Sequence, residues 1–336
     1  MMRPCPALLV VCSLLLPGLS ASGAEGRDNE PPNAPAPEEG AGEVGIGEEA
    51  EVKDEPAFKR HVFFFTLASA ASVNPEGFAV INTIGYRLNL FDSDSPLLGD
   101  TYASVALAPY ATPAFARGGI EVKVKPLAVL ELMARVDQVG YFGNFGNVQS
   151  FKTPTAEAGD DDRDAGEARG DNASRSGTMF TLQALAQAKV GPIAVRHFFK
   201  VISTDLDLPA GDTAYYDPSL DMLVPDGGLV INTDSDLLFV SEQGLTLGLR
   251  HTFISPQFDK ADFLPGESTQ DPNGPVHRLG PLIAYKFNTD KGTRFDEPTA
   301  FALVHWYLAH RYRAGQDSSA LIPYVALGFA FSGHLF

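Results

Sequence analysis

The sequence is poor in cysteine and has no long apolar run beyond its first residues. Its two cysteines, Cys5 and Cys12, both lie in the N-terminal apolar stretch, so a chain that has lost this stretch can form no disulfide bond. After that stretch, no run reaches the ~18 consecutive apolar residues that a membrane helix requires. The remaining chain is therefore either soluble or crosses a membrane as β-strands, which need only ~9–11 residues of alternating polarity.

Positive charge is also scarce. The chain has 25 Lys and Arg residues against 42 Asp and Glu residues, which gives a formal net charge of -17 at pH 7. An acidic surface repels phosphate backbones and anionic lipid surfaces, so we expect no nucleic-acid partner. No residue pattern indicates a cofactor, and we expect none.

Residues 1–24 have the pattern of a secretory signal peptide. Arg3 precedes apolar runs at 7–11 and 14–16, and small residues lead to an expected cleavage after Ala24. The mature protein is therefore predicted to leave the cytoplasm. An alternative is a lipoprotein signal at 9–12, although a bulky valine stands before the cysteine where such signals have a small residue.

Residues 25–58 are rich in Glu, Pro, Ala and Gly and contain no aromatic side chain before Phe58. Such a segment buries too little apolar surface to offset the entropy lost on ordering. We expect a disordered, acidic periplasmic tail, with a role as a cell-wall or partner tether as an alternative. The predicted folded unit is then residues 59–336.

That unit consists of short alternating segments separated by Gly, Pro, Asn and Asp. Alternation of this period indicates β-strands with one apolar face. The predicted strands are 60–72, 77–91, 100–111, 113–125, 127–142, 178–190, 192–203, 234–241, 244–255, 276–288, 299–313 and 319–336. A soluble β-sandwich and a transmembrane β-barrel both produce this pattern, so alternation alone does not separate them.

The lengths of the connections favour the barrel. Outer-membrane barrels have short turns at one end and longer loops at the other, alternating along the chain. The connections at 125–128, 189–192 and 241–244 are tight, whereas those at 143–177, 204–233 and 256–275 are long. The longer connections near 92–99 and 289–298 are exceptions. The fold predicted is an all-β, antiparallel, up-and-down transmembrane barrel of about twelve strands.

The last segment is an apolar alternating strand that finishes on Phe336. It resembles the closing strand of bacterial outer-membrane β-barrel proteins, in which such an ending is read by the assembly machinery. The resemblance implies a place in the outer membrane of a Gram-negative bacterium, with membrane lipid, lipopolysaccharide and the barrel-assembly machinery as partners. It also implies Phe329, Phe331 and Phe336 as the assembly signal. Phe336 is out of step with the alternation, so a slip or bulge is expected there.

Charged side chains share one face of the predicted strands. A charge on the lipid face near mid-membrane costs ~2–4 kcal/mol, so these residues should line the interior. They are Arg87, Arg117, Glu121, Lys123, Lys125, Glu131, Arg135, Asp137, Arg196, Lys200, Arg250, Arg278, Lys286, Arg311 and Arg313. The excess of basic residues favours a narrow passive pore that prefers small anionic solutes. The alternative is a non-conducting structural or binding barrel, in which these side chains form ion pairs across the interior.

Three further groups of residues could carry chemistry. Asp205, Asp207, Asp212 and Asp217 lie in one predicted outer loop and are weak candidates for binding a divalent cation, which could bridge to lipopolysaccharide phosphates. The acidic run at 160–164 is similar to the start of a calcium loop but has Ala165 in place of the turn glycine. His251 and Ser255 lie four residues apart on one strand face, two pleats apart. No catalytic spacing is present, so we expect no enzyme, with an outer-membrane lipid hydrolase as a remote alternative.

Overall fold

The computed structural model describes residues 59–93, 95–143, 148–287, 296–315 and 319–335, apart from the side chain of Glu297. The expected signal peptide, the expected acidic tail and Phe336 lie outside the described residues. No helix in the described ranges is both long enough and apolar enough to cross a membrane.

Most of the described residues lie in β-strands, with one α-helix and one short 3-10 helix at Lys260–Asp262. The elements are β1 (His61–Val73), β2 (Gly77–Asn89), β3 (Tyr102–Leu107), β4 (Tyr110–Ala111), β5 (Phe115–Leu127), β6 (Leu130–Tyr141), β7 (Ser150–Phe151), α1 (Asp160–Arg169), β8 (Arg175–Val190), β9 (Ile193–Leu206), β10 (Ala214–Asp217), β11 (Met222–Pro225), β12 (Leu229–Val240), β13 (Leu245–Gln257), β14 (Val276–Lys286), β15 (Asp296–Ala309) and β16 (Tyr324–His334).

Strand pairing closes the sheet into a barrel. Each barrel strand pairs antiparallel with its neighbours in chain order, and β16 pairs with β1 from Phe64 opposite His334 to Val73 opposite Val325. Because β3 and β4 both pair with β2 and β5, they form one strand that is interrupted at Pro109, which has no backbone N–H to donate. The described part of the chain is thus a closed, twelve-stranded, up-and-down barrel, which confirms the predicted fold class.

Several predicted strand bounds were wrong. The strand predicted at 234–241 begins five residues earlier in β12 (Leu229–Val240), and the strand predicted at 299–313 ends at Ala309. The strand predicted at 100–111 is the interrupted pair β3 and β4. In each case the alternation of polar and apolar residues and the hydrogen-bonded pairing of the strands have different limits along the chain.

The two faces of the wall differ in chemistry. Leu249 is 51% exposed, whereas the next residue, Arg250, is 3% exposed. Large apolar side chains on many strands share the outward position, among them Ile84, Val105, Ile120, Val122, Val136, Leu182, Leu237, Ile283 and Leu327. Apolar surface left in water is unfavourable by about 25 cal/mol per Å², so an exterior of this kind requires lipid. The barrel is therefore a transmembrane barrel.

The two ends of the barrel also differ. The connections at 142–174, 207–228, 258–275 and 310–323 all emerge at one end, here named the loop end. The connections at 128–129, 191–192 and 241–244 emerge at the other, here named the turn end. The longer turn-end connections, 90–101 and 287–295, correspond to the two exceptions in the sequence.

A cap occupies the loop end. Strands β7, β10 and β11 form a small separate sheet, and every residue of the β10 and β11 strands is buried. Tyr215 and Met222 belong to the same buried cluster as the inward-facing Phe115 and Tyr141 of the wall. We define the cap as this sheet together with α1. The long connection predicted at 204–233 was expected to be a polar outer loop, but its centre is this buried hairpin.

Candidate functional site: a charged barrel interior

A carboxylate shared by two arginines lies on the inner wall. Asp236 of β12 accepts hydrogen bonds from Arg196 Nη2 of β9 at 2.6 Å and from Arg250 Nε of β13 at 2.6 Å. The three residues are directly opposite one another in the strand ladders, which fixes this meeting. Because all three are buried, the pairs stabilise only through this close geometry.

A second layer of polar side chains lies two residues further along β12 and β13. Asp234 accepts a hydrogen bond from the Thr252 hydroxyl at 2.6 Å, and Lys200 Nζ lies 3.9 Å from Asp234. The sequence analysis did not identify Asp234 and Asp236 as interior residues, although both lie within the strand predicted at 234–241. The missed signal was the alternation that continues back to Val230 on the same face.

Ion pairs also cover the inner wall at β5 and β6. Arg135 of β6 donates to Asp137 at 2.7 Å and lies 3.9 Å from Glu121, which pairs with Lys123 at 2.8 Å. Nearer the turn end, Lys125 pairs with Asp100. The Tyr102 hydroxyl donates to Glu131 at 2.5 Å. Most basic side chains of this wall therefore have an acidic partner.

Arginines of a second kind contact aromatic rings. Arg87 lies 4.7 Å from the ring centroid of Tyr102 and 5.1 Å from that of Phe64. Arg278 lies 4.7 Å from the ring of Tyr324. Cation–π contacts hold a guanidinium without neutralising its charge. Among the residues that the structure describes, neither Arg87 nor Arg278 forms a salt bridge.

The predicted interior residues on barrel strands all occupy inward positions. Besides those above, Arg117 lies over the ring of Tyr110 at 4.7 Å, and Lys286 ends β14 at the turn end. Arg311 and Arg313 do not lie on the wall, because β15 ends before them. Their assignment to a strand was wrong, since the alternation continues into the connection that follows.

These two arginines bind the cap instead. Arg311 donates to the carbonyl of Thr155 and to Glu157, both at 3.0 Å. Arg313 donates to Asp221, at the start of β11, with Nε and Nη2 both 3.0 Å from carboxylate oxygens. It also pairs with Asp160 of α1. The last connection of the chain therefore fastens the cap.

Asp221 is the centre of that fastening. It also accepts a hydrogen bond from the Tyr216 hydroxyl at 2.6 Å, and its backbone carbonyl lies 2.9 Å from His310 Nε2. Burial alone would raise the pKa of Asp221, but Arg313 beside it and the interaction with His310 hold that pKa well below the usual value. The carboxylate is therefore charged while the cap is in place.

Comparison with known proteins finds distant structural similarity alone. No family model matches the sequence, and no curated protein matches it. The chain has a distant structural similarity to several solved structures. They include an outer-membrane channel from Pseudomonas putida F1 (12% identity, TM-score 0.39, covering 84% of this chain and 100% of that chain). They also include the NanC porin (8% identity, TM-score 0.36, 81% and 100%) and the β domain of the Bordetella autotransporter Brka (11% identity, TM-score 0.37, 81% and 99%).

The closed pairing of β1 with β16 and the apolar exterior decide the architecture. The chain is an outer-membrane-type β-barrel.

The acidic residues proposed for a cation do not meet in this barrel. Asp205 and Asp207 are exposed near the end of β9, and Asp207 accepts from the Ser176 N–H at 2.7 Å. Asp212 accepts from the Ser150 hydroxyl at 2.5 Å. Asp217 is buried in the cap, where burial raises its pKa. Within the described ranges, no three potential ligands are grouped around a metal position. The acidic run at 160–164 begins helix α1 and is not a calcium loop.

The histidine and serine considered for catalysis are apart. His251 and Ser255 face outward on β13, and His251 Nε2 lies 3.1 Å from Nδ1 of His277 instead. A different pair, His197 Nδ1 and Ser235 Oγ, is 2.8 Å apart on the exterior. In the described part of the barrel no carboxylate contacts His197, and the surrounding backbone N–H groups are engaged in strand pairing. The pair therefore lacks an orienting acid and oxyanion donors.

Two of the three phenylalanines proposed for assembly face outward on β16. Phe329 is 39% exposed, and the ring of Phe331 lies edge-on to Phe65 with centroids 6.0 Å apart. Both are thus placed on the seam between the first and last strands.

Proposed function

We propose that the protein is a narrow passive pore of the Gram-negative outer membrane, that it prefers small anions, and that the cap closes it in the state described above. The observation that carries this proposal is the pair of interior arginines, Arg87 and Arg278, which contact rings rather than carboxylates. Their charge remains available to a passing anion, and a low-dielectric wall strengthens such attraction.

The partial exposure of charged side chains in the interior supports a polar path. Lys123 retains 27% of its side-chain exposure on the inner wall, and Arg87 is half-buried. Deeper in the wall, Arg278 Nε, His305 Nε2 and Asn232 Oδ1 are buried and have no hydrogen-bond partner among the described residues. Buried polar atoms are almost always satisfied, so water or a solute is expected at these positions.

Conduction requires the cap to move. The β10–β11 hairpin lies across the loop end, and its contacts with α1 and the last connection depend largely on Asp221 and Arg313. Opening the cap must break these polar contacts and also separate the buried cluster that the hairpin shares with the wall. We therefore assign the cap the role of a gate.

The cellular setting follows from the sequence and belongs to the same proposal. Residues 1–24 direct export, residues 25–58 remain in the periplasm, and the assembly machinery reads the end of β16 with Phe336. The apolar exterior contacts membrane lipid, and the acidic loop end faces lipopolysaccharide.

A planar-bilayer measurement tests the pore. The refolded chain and a variant in which residues 210–226 are replaced by a short Gly-Ser linker are compared, with insertion checked by heat-dependent gel mobility. We expect little current from the intact chain and a several-fold larger current from the variant, with a reversal potential that favours chloride under unequal salt. An inserted variant that carries no current would contradict the proposal.

A non-conducting barrel is the second candidate. It is favoured by the continuous buried cluster that joins wall residues such as Tyr307 to the cap residues Tyr215 and Met222. In that case the interior ion pairs hold the wall rigid, and replacement of the cap lowers stability without producing current.

A further inference from the structure

A row of polar side chains crosses the exterior of the barrel. His197 of β9, Ser235 of β12, His251 of β13 and His277 of β14 all face outward. Ser235 lies opposite both His197 and His251 in the strand ladders. His197 and Ser235 are joined at 2.8 Å, and His251 and His277 at 3.1 Å. We call these four residues the polar row.

The polar row interrupts the apolar exterior. Val195 and Phe199 flank His197 along β9, and they are 48% and 42% exposed. The second ring nitrogen of each histidine in the row makes no hydrogen bond within the described residues. Hydrocarbon cannot supply one, and an unsatisfied polar group costs ~1–3 kcal/mol. Apolar residues on both sides along the strand separate His197 from the lipid headgroups, so the missing partner must come from protein.

A groove lies beside the polar row, towards the turn end. Its volume is about 350 Å³, and its lining includes Ala186 and Ala188 of β8 with Val195 and His197 of β9. Outward alanines on β8 create the depression, since neighbouring strands carry larger side chains. On the other side of the seam, Leu237 lies opposite Val195 and is 54% exposed. A depression and a projecting side chain are therefore found at the same level on adjacent strands.

We infer that this sector of the barrel binds a second copy of the chain, in a dimer whose two-fold axis runs along the membrane normal near the β9–β12 seam. All copies insert in one orientation, so this axis brings equal depths together. Imidazole and hydroxyl groups both donate and accept, so across this axis His197 of one copy can pair with Ser235 of the other, as a two-fold interface requires. The same axis carries Leu237 of one copy to the groove of the other. The proposed dimer does not depend on whether the barrel conducts ions.

Disulfide crosslinking tests the contact. The full chain carries Cys5→Ser and Cys12→Ala, and Ser235→Cys is added as a nearly isosteric change close to the axis. Mild oxidation of outer membranes should give a band of twice the monomer mass that disappears on reduction. The matched control is Ile84→Cys, which also faces outward, on β2, six strands away in either direction around the barrel. It should remain monomeric.

Light scattering of the detergent-solubilised protein provides the second readout. The unmodified chain should have twice the monomer mass, and Ser235→Ala with His197→Leu should shift it to the monomer while heat-dependent gel mobility shows an intact barrel. A monomeric unmodified chain, equal crosslinking at residues 84 and 235, or crosslinking of residue 235 to a different protein would each overturn the inference.

Discussion

At the scale of single residues, Asp236 shows how charge is tolerated inside the wall. One carboxylate accepts from Arg196 and Arg250, and none of the three is more than 4% exposed. Attraction within such a group offsets desolvation only while every member is present.

Removing that carboxylate should therefore be costly. We expect Asp236→Asn to lower the free energy of unfolding by about 3–5 kcal/mol, because two buried guanidinium groups lose their counter-charge. Urea titration of the refolded barrel, followed by gel mobility, measures the loss. Asp207→Asn, at an exposed position, is the control. Equal stability of the two variants would show that the interior is hydrated enough to screen the pair.

The arginines that contact aromatic rings lead to a different prediction, about ion selectivity. In the chain whose residues 210–226 are replaced by a linker, Arg87→Gln with Arg278→Gln should shift the reversal potential at least halfway towards zero, because the unneutralised charges are removed. Arg169→Gln is the control, since that side chain is exposed on α1. The measurement uses unequal potassium chloride across a planar bilayer. A reversal potential that follows the control would assign selectivity to other residues.

At the scale of elements, the close approach of two strands explains why glycine stands at position 119. A Cβ added to Gly119 of β5 would lie 1.7 Å from the carbonyl oxygen of Val136 on β6, whereas one added to Gly118 would meet nothing within 4 Å. Gly119→Ala must displace backbone, and forced overpacking costs about 1–3 kcal/mol. We expect a lower unfolding midpoint for Gly119→Ala and little change for Gly118→Ala. Equal midpoints would mean that the β5–β6 pair shifts freely.

The stability of the cap should depend on pH through Asp221. The pKa of Asp221 is lower in the folded cap than in an unfolded chain, so its stabilisation is fully present above the unfolded value of about 3.9 and is lost as pH falls through the lower folded value. Limited proteolysis of the cap should therefore be slow and constant from pH 8 to 5. Asp221→Asn should accelerate cleavage at neutral pH, whereas Asp212→Asn should not. Rapid cleavage of the unmodified cap near pH 6 would contradict this assignment.

Alternation predicted the wall strands well because lipid and water impose opposite demands on neighbouring residues. It did not predict the β10–β11 hairpin, whose strands are only four residues long within an acidic connection. The burial of Tyr215 and Tyr216 comes from contacts with wall strands far away in sequence. Arg313 was misplaced for a related reason, since its partners Asp160 and Asp221 belong to two other connections.

At the scale of the whole molecule, strand number, closure and the sorting of connections by length were accessible from sequence. The balance of charge inside was not. The sequence showed an excess of basic residues on the inner face, but Asp100, Asp234 and Asp236 complete the ion pairs. The register and tilt of the strands decide which side chains form ion pairs inside a closed barrel. The alternation of residues along a single strand contains neither quantity.

Closure also places both ends of the described chain at the same rim. β1 starts and β16 finishes at the turn end, where the Leu335 N–H donates to the Phe63 carbonyl at 2.8 Å. The order of strands around the barrel therefore does not depend on where the polypeptide starts. A circular permutant that joins residue 335 to residue 59 and opens the chain at the two-residue turn 191–192 would keep every strand next to its present neighbours.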